Sequence, residues 1–394
     1  MAGKRARRAS VEDLWFKSVR GSDGEPKKVK AKLHGIRRRW RARYVDNDGR
    51  ERTRRFVVKR DAQAWLDTKT TEFGTGTYVD PDRSSVPFGI VAEQWFDSKK
   101  GRAPKTVAGY RSLLDTQVLP RWQNVPLVDI EFEDVQEWVS VLTTSGRVRG
   151  KGGLSPSRAI QTYQVLHSAL TFAVRSKRLP ANPADDIELP RKTHPEQRYL
   201  TTTQLGLLAD AGGTFKVLIL VLGFTGIRFG EAAALRVRSV DLRRRRIRIS
   251  RSVTRVTGKG LVEGPVKNHQ ARTVPVGATV ARMIADLIEG RPAHAFVFPS
   301  RRGEEYLGIG EFRWTFDAAV KSVGLDDLTP HELRHTAASL AIKSGANVKV
   351  VQTMLGHKTA TMTLDLYGHL FEDDLDSIAS ALDAAYRLRT DAAG

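Results

Sequence analysis

The chain has 394 residues, a formal charge of +21, 40% hydrophobic residues and no cysteine. Its apolar content supports real cores and excludes wholesale disorder. Disulfides, thiolate catalysis and cysteine-ligated zinc are excluded, and no run approaches the roughly 18 apolar residues of a membrane helix.

The basic balance points to a polyanionic partner, nucleic acid first, and the length to two or three domains. The first 60 residues hold 21 Lys+Arg against 7 Asp+Glu, a net +14, which marks a dedicated phosphate-binding module. Residues 1–26 are polar and basic and are expected to be a flexible tail; no apolar stretch follows "MAGKRARRAS" to make a secretory signal. A cytoplasmic, nucleoid-associated location fits. From Lys27 a strand pattern begins: Val29, Ala31 and Leu33 alternate with lysines. In "RRWRARYVDNDGRERTRRFVV", Trp40, Ala42 and Tyr44 share one face and Arg39, Arg41 and Arg43 the other. "DNDG" supplies the turn into a further strand. "KRDAQAWLDTKTTEFGTG" then reads as a helix with Ala62, Trp65 and Leu66 inward. Residues 27–80 are therefore expected to form a three-stranded sheet with one helix and an arginine-lined outer face.

A Pro/Ser/Asp-rich linker, "YVDPDRSSVPFG", precedes an all-helical unit over 86–185. Its first two helices are "FGIVAEQWFDSKK" and "APKTVAGYRSLLDTQVLPRW", the latter with Lys105 and Arg111 outward. "EFEDVQEWVSVLTT" follows, and the fourth helix starts at Ser155 with Pro156 in its first turn. A proline-rich, aperiodic stretch leads into the last unit, 195–394. That unit reads as mostly helical: a buried helix over "TFKVLILVLGF" is broken at Gly226 and resumes after Arg228. Three short strands follow in "RIRISRSVTRV", "KGLVEGPVKNHQ" and "ARTVPV", and then more helices. The fold class is thus multidomain, mainly α with small β elements, the last unit mixed but mostly α.

Six positions of the last unit stand out as candidate chemistry. Arg228 lies between two apolar stretches, where a charge is costly unless paired, and Glu231 is one helical turn away as its partner or orienter. Lys267 sits on a turn between strands. His331 and Arg334 in "PHELRHT" point from one helix face, with Pro330 marking the helix start, where an anion is favoured. His357 follows Gly356, and Tyr367 comes ten residues later. Each alone has a structural reading: a paired surface arginine, a capping histidine, a packed tyrosine. Their co-occurrence in this order, inside one unit of a basic protein, is the signal.

That order, with "TGIRFGE", "HELRHTAAS" and "LGH" around it, resembles the tyrosine recombinases, and within them the phage-type integrases. The likeness covers about residues 86–394. It implies a site-specific recombinase that breaks and rejoins DNA through a 3′-phosphotyrosine, integrating or excising a mobile element. Catalytic roles fall to Arg228, Lys267, His331, Arg334, His357 and Tyr367, with no cofactor and no metal. It also implies a core-binding domain at 86–185 and a catalytic domain at 195–394, and residues 27–80, by their pattern and charge, resemble the arm-type DNA-binding domains of such integrases. Candidate DNA contacts are Arg39, Arg41, Arg43, Lys105 and Arg111. The implied partners are duplex DNA at core and arm sites and a homotetramer on that DNA, with a host DNA-bending protein and an excision factor left open. Ile378, Leu382, Ala385 and Leu388 form a C-terminal amphipathic stripe that suits oligomerisation or packing on its own domain. A chromosome-dimer or transposon recombinase, a type IB topoisomerase-like enzyme and a non-catalytic DNA-binding regulator are the alternatives.

Overall fold

The computed structural model describes residues 9–20, 25–147, 151–192, 198–266, 270–301 and 303–374, with 379, 380, 382–384 and 386. The chain divides into two compact units, 1–193 and 194–394.

In the first unit, Ser10–Asp13, Trp40–Val45 and Glu51–Phe56 form an antiparallel sheet with Trp40–Val45 central. Helix Lys59–Thr75 covers its inner face, where Ala42, Tyr44, Ala62, Leu66 and Tyr78 are buried. The expected first strand, Lys27 to Leu33, is not part of this sheet. Pro26–Lys30 instead pairs with Phe16–Arg20 in a separate exposed hairpin, and Ser10–Asp13 takes the sheet edge, so residues 10–20 are no tail. The reason is electrostatic. The observed register sets Glu12 opposite Arg41, whereas a lysine strand there would put like charges across from one another.

The rest of this unit is a helical bundle. Phe88–Asp97, Pro104–Leu113, Phe132–Ser145 and Pro156–Arg175 pack around Trp95, Trp122, Leu127 and Leu166. Ser155 accepts the Arg158 amide as N-cap, with Pro156 next, as the sequence signals. The single helix expected over 103–122 is interrupted by a π turn at Leu114–Val118. Pro120 has no amide hydrogen to continue the ladder through this stretch.

In the second unit, the apolar helix Lys216–Thr225 is buried between Thr202–Ala211 and Glu332–Lys343. It stops at Gly226, whose φ is +65°, a conformation that suits glycine. "RIRISRSVTRV" is two strands in two sheets. Arg246–Ile249 lies between Val240–Asp241 and Arg272–Pro275, while Arg251–Val256 pairs with Gly260–Pro265. Helices Ala278–Ile288, Ile309–Ser322, Val348–Leu355 and Thr361–Tyr367 complete the unit. Among the described residues no helix is long and apolar enough to cross a membrane.

Phe312 is fully buried and meets Phe215, Phe229 and Phe316 at centroid distances of 5.2–5.4 Å. Phe312→Ala should lower the stability of the C-terminal unit by ~3–5 kcal/mol, read as a fall in its urea midpoint.

Candidate active site

The site is assembled by backbone carbonyls as much as by side chains. Arg334, on the first turn of helix Glu332–Lys343, is 4% exposed. Its Nη1 donates to the Gly226 carbonyl and its Nη2 to the Leu355 carbonyl, both at 2.6 Å. It thereby ties the turn before Arg228 to the end of the helix that precedes His357. A Cβ on Gly226 would come within 2.7 Å of Leu355 and 3.2 Å of Ala337. The "TGIR" turn is therefore fixed by packing as well as by φ.

Arg228 caps the short helix Phe229–Ala233. Its backbone amide donates to Glu231 Oε2 at 2.9 Å and its Nη1 to Oε1 at 3.1 Å. The Glu231 carboxylate, 2% exposed, also takes both Nη groups of Arg272, at 3.0 and 2.6 Å. Burial would raise its pKa, but the hydrogen bonds and charge of Arg272, helped by Arg228, win and hold it below the ordinary value.

Tyr367 ends its helix with 1% exposure. Its hydroxyl lies 2.8 Å from Nδ1 of His335, and its ring is parallel to that of His357 at 6.5 Å. Burial, partly offset by Arg334, pushes the phenol up to about 12. His335 and His357 are pulled down to about 4, by burial first and then by neighbouring charge. His357 Nδ1 is 3.0 Å from the Thr363 hydroxyl. His331, at the helix start, is exposed on one side and 5.2 Å from the His335 ring. Partial desolvation, Arg334 and Arg228 lower its pKa. Burial and Arg228 take Arg334 down to about 9, which leaves it a cation at neutral pH.

The sequence-predicted residues Arg228, Glu231, His331, Arg334, His357 and Tyr367 thus converge. Lys267 lies outside the described residues. Two members of the constellation were not among the expected ones. Arg272 lies two residues before buried Val274, on the same face of its strand. His335 is four residues after His331, on the same helix face.

The other candidates belong to the first unit. Arg39 pairs with Asp13 at 2.8 Å, Arg41 with Glu12, and Arg43 with Glu12 at 2.9 Å and Glu51 at 3.5 Å. The arginine face is therefore ion-paired within the chain rather than bare. Arg111 bonds Glu93 at 2.8 Å and also Asp115, and Lys105 is exposed. Of the C-terminal stripe, Leu382 is 67% exposed; Ile378, Ala385 and Leu388 lie outside the residues whose side chains are described.

The two depressed imidazoles make a pH test. Between about 6.5 and 4 the unfolded chain binds protons that His335 and His357 refuse in the fold, so stability falls as pH is lowered through that window. Urea midpoints measured across it should drop, and the double variant His335→Asn/His357→Asn should flatten the slope. An unchanged slope would mean that neither ring is held neutral.

The sequence profile of the phage integrase family matches residues 201–373. The prophage phiRv2 integrase of Mycobacterium tuberculosis is 28% identical over 342 residues, covering 83% of this chain and 88% of that protein. The tyrosine recombinase XerD of Vibrio vulnificus is 29% identical, over 74% of this chain and 94% of its own. The Tn1549 transposon integrase, solved in complex with a circular intermediate DNA, shares the fold with a TM-score of 0.65 and 21% identity, over 76% of this chain and all of that one. Residues 201–373 are a phage integrase family domain, and over most of its length the chain is similar to prophage integrases and to XerD tyrosine recombinases.

Proposed function

We propose that this chain is the site-specific integrase of a phage or other mobile element, acting in the bacterial cytoplasm with Tyr367 as nucleophile. The supporting observation is the convergence of Arg228, Arg334, His357 and Tyr367 through the carbonyls of Gly226 and Leu355. A phosphodiester under attack gathers charge on its non-bridging oxygens, which fixed guanidinium forks are suited to take. Arg228 and Arg334 bind those oxygens, with His331 and His357 as donors beside them. The phenol of Tyr367 loses its proton, with His331 as base, and its oxygen bonds to phosphorus. The 5′-oxygen leaves and takes a proton from Lys267. The 3′-phosphotyrosine conserves the bond energy, so a 5′-hydroxyl of the partner duplex reverses the step without ATP.

Exchange between two duplexes needs four strand cuts. With one Tyr367 per chain, this calls for a homotetramer on DNA. The helical bundle, through Lys105 and Arg111, and the catalytic domain hold the core site, while the N-terminal sheet with Arg39, Arg41 and Arg43 takes arm sites. A host DNA-bending protein and an excision factor complete the proposal as accessory partners.

The deciding experiment is covalent capture on nicked suicide duplexes drawn from candidate junction DNA. Wild type should leave a protein–DNA adduct on the 3′-phosphate side. Tyr367→Phe should leave none while binding the same duplex within about twofold, since only a hydroxyl is lost. An adduct formed by Tyr367→Phe would overturn the assignment.

A further inference from the structure

Arg272 has no place in the catalytic set set out above, yet its surroundings are specific. Its side chain is 8% exposed and spends its fork on one carboxylate: Nη1 to Glu231 Oε1 at 3.0 Å and Nη2 to Oε2 at 2.6 Å. Its Nε donates to the Met354 carbonyl at 2.9 Å. That carbonyl belongs to the last turn of helix Val348–Leu355, where the ladder leaves acceptors unfilled. Gly356 follows at φ +67°, and a Cβ there would lie 3.0–3.1 Å from the Arg272 side chain. Arg272 therefore touches both the Glu231–Arg228 pair and the turn that presents His357. These residues line one cavity of about 220 Å³.

We infer that Arg272 is a positioning residue for strand cleavage: its fork, locked onto Glu231 and the Met354 carbonyl, holds Arg228 in its phosphate-binding orientation and sets the His357 turn beside it. The physical case is a competition. Glu231 alone would orient Arg228 but also absorb its charge. With Arg272 sharing the carboxylate, Arg228 commits only its backbone amide and Nη1 to Glu231. Among the described residues its Nε and Nη2 hold no protein acceptor, and they are left for an incoming phosphate. A lysine supplies the charge of Arg272 but not the planar fork, so it cannot serve both carboxylate oxygens and the carbonyl together.

This inference rests on the proposed cleavage reaction, and the test separates the two. The substrate is the nicked duplex that gives a Tyr367-dependent adduct with wild type. If wild type gives none on any duplex, the proposed function fails, whatever Arg272 does. With that duplex, the adduct-forming rate at saturating DNA and the DNA affinity are measured separately for Arg272→Gln, Arg272→Lys, Glu231→Gln and the Glu231→Gln/Arg272→Gln double variant, each checked for native stability. A misplaced catalytic group costs on the order of 10²-fold in rate. Arg272→Gln should fall by that order with affinity changed less than about threefold. Arg272→Lys should recover only part of the loss, and in the Glu231→Gln background the Arg272 change should cost little more. Three results would each sink the idea: a wild-type rate in either folded Arg272 variant, multiplying losses in the double variant, or failure of both Arg272 variants to fold, which would make Arg272 a stability residue only.

Discussion

One buried carboxylate makes the arginine constellation of the candidate site stable. Arg228, Arg272 and Arg334 converge in the C-terminal unit, two of them nearly removed from solvent, and like charges so placed repel and resist desolvation. Glu231 takes four hydrogen bonds from two of them. Arg334 is satisfied by carbonyls instead. Three arginines against one glutamate leave a formal charge of +2 on the set. A phenolate attacking a diester monoanion builds a dianionic phosphorane. The surplus the fold carries is thus matched to the charge the proposed reaction would create, and neutralising the set fully would make a more comfortable interior and a poorer phosphate site.

The N-terminal sheet meets the same difficulty at the surface and resolves it more cheaply. Glu12, Asp13 and Glu51 neutralise Arg39, Arg41 and Arg43, of which Arg41 stands opposite Arg55 across the strands. Partly exposed pairs of this kind are worth about 0–1 kcal/mol each. Exchanging a carboxylate for a phosphate oxygen therefore costs little, so an internally paired face is compatible with a DNA-facing one. Pairing holds the strand order, while the excess charge of the first 60 residues remains available to a polyanion.

The helical bundle, the broken helix at Gly226 and the ordered set from Arg228 to Tyr367 were legible in the sequence, because periodicity, caps and motif spacing are local signals. The N-terminal strand order was not. Two segments, Ser10–Asp13 and Pro26–Lys30, could both alternate, and the choice between them was made by cross-strand charge, a non-local term. The division of "RIRISRSVTRV" between two sheets was hidden for the same reason: a continuous strand pattern does not say where its partner changes. Arg272 escaped notice because a charge at a strand start reads as solvated until its carboxylate, 41 residues earlier in the chain, is known to be buried against it. His335 stood beside a motif that already accounted for its neighbours.

The concealed hydroxyl of Tyr367 bears on how such a protein can search a genome. Held against His335, the hydroxyl of the proposed nucleophile is sheltered from solvent. A strongly basic protein spends most of its time on non-target duplex, bound through phosphates alone. If the reactive oxygen were always presented, every such encounter would offer a scissile bond. Sheathing it makes sliding along DNA chemically silent, so that fidelity depends on what draws the tyrosine out and not only on which sequence is gripped.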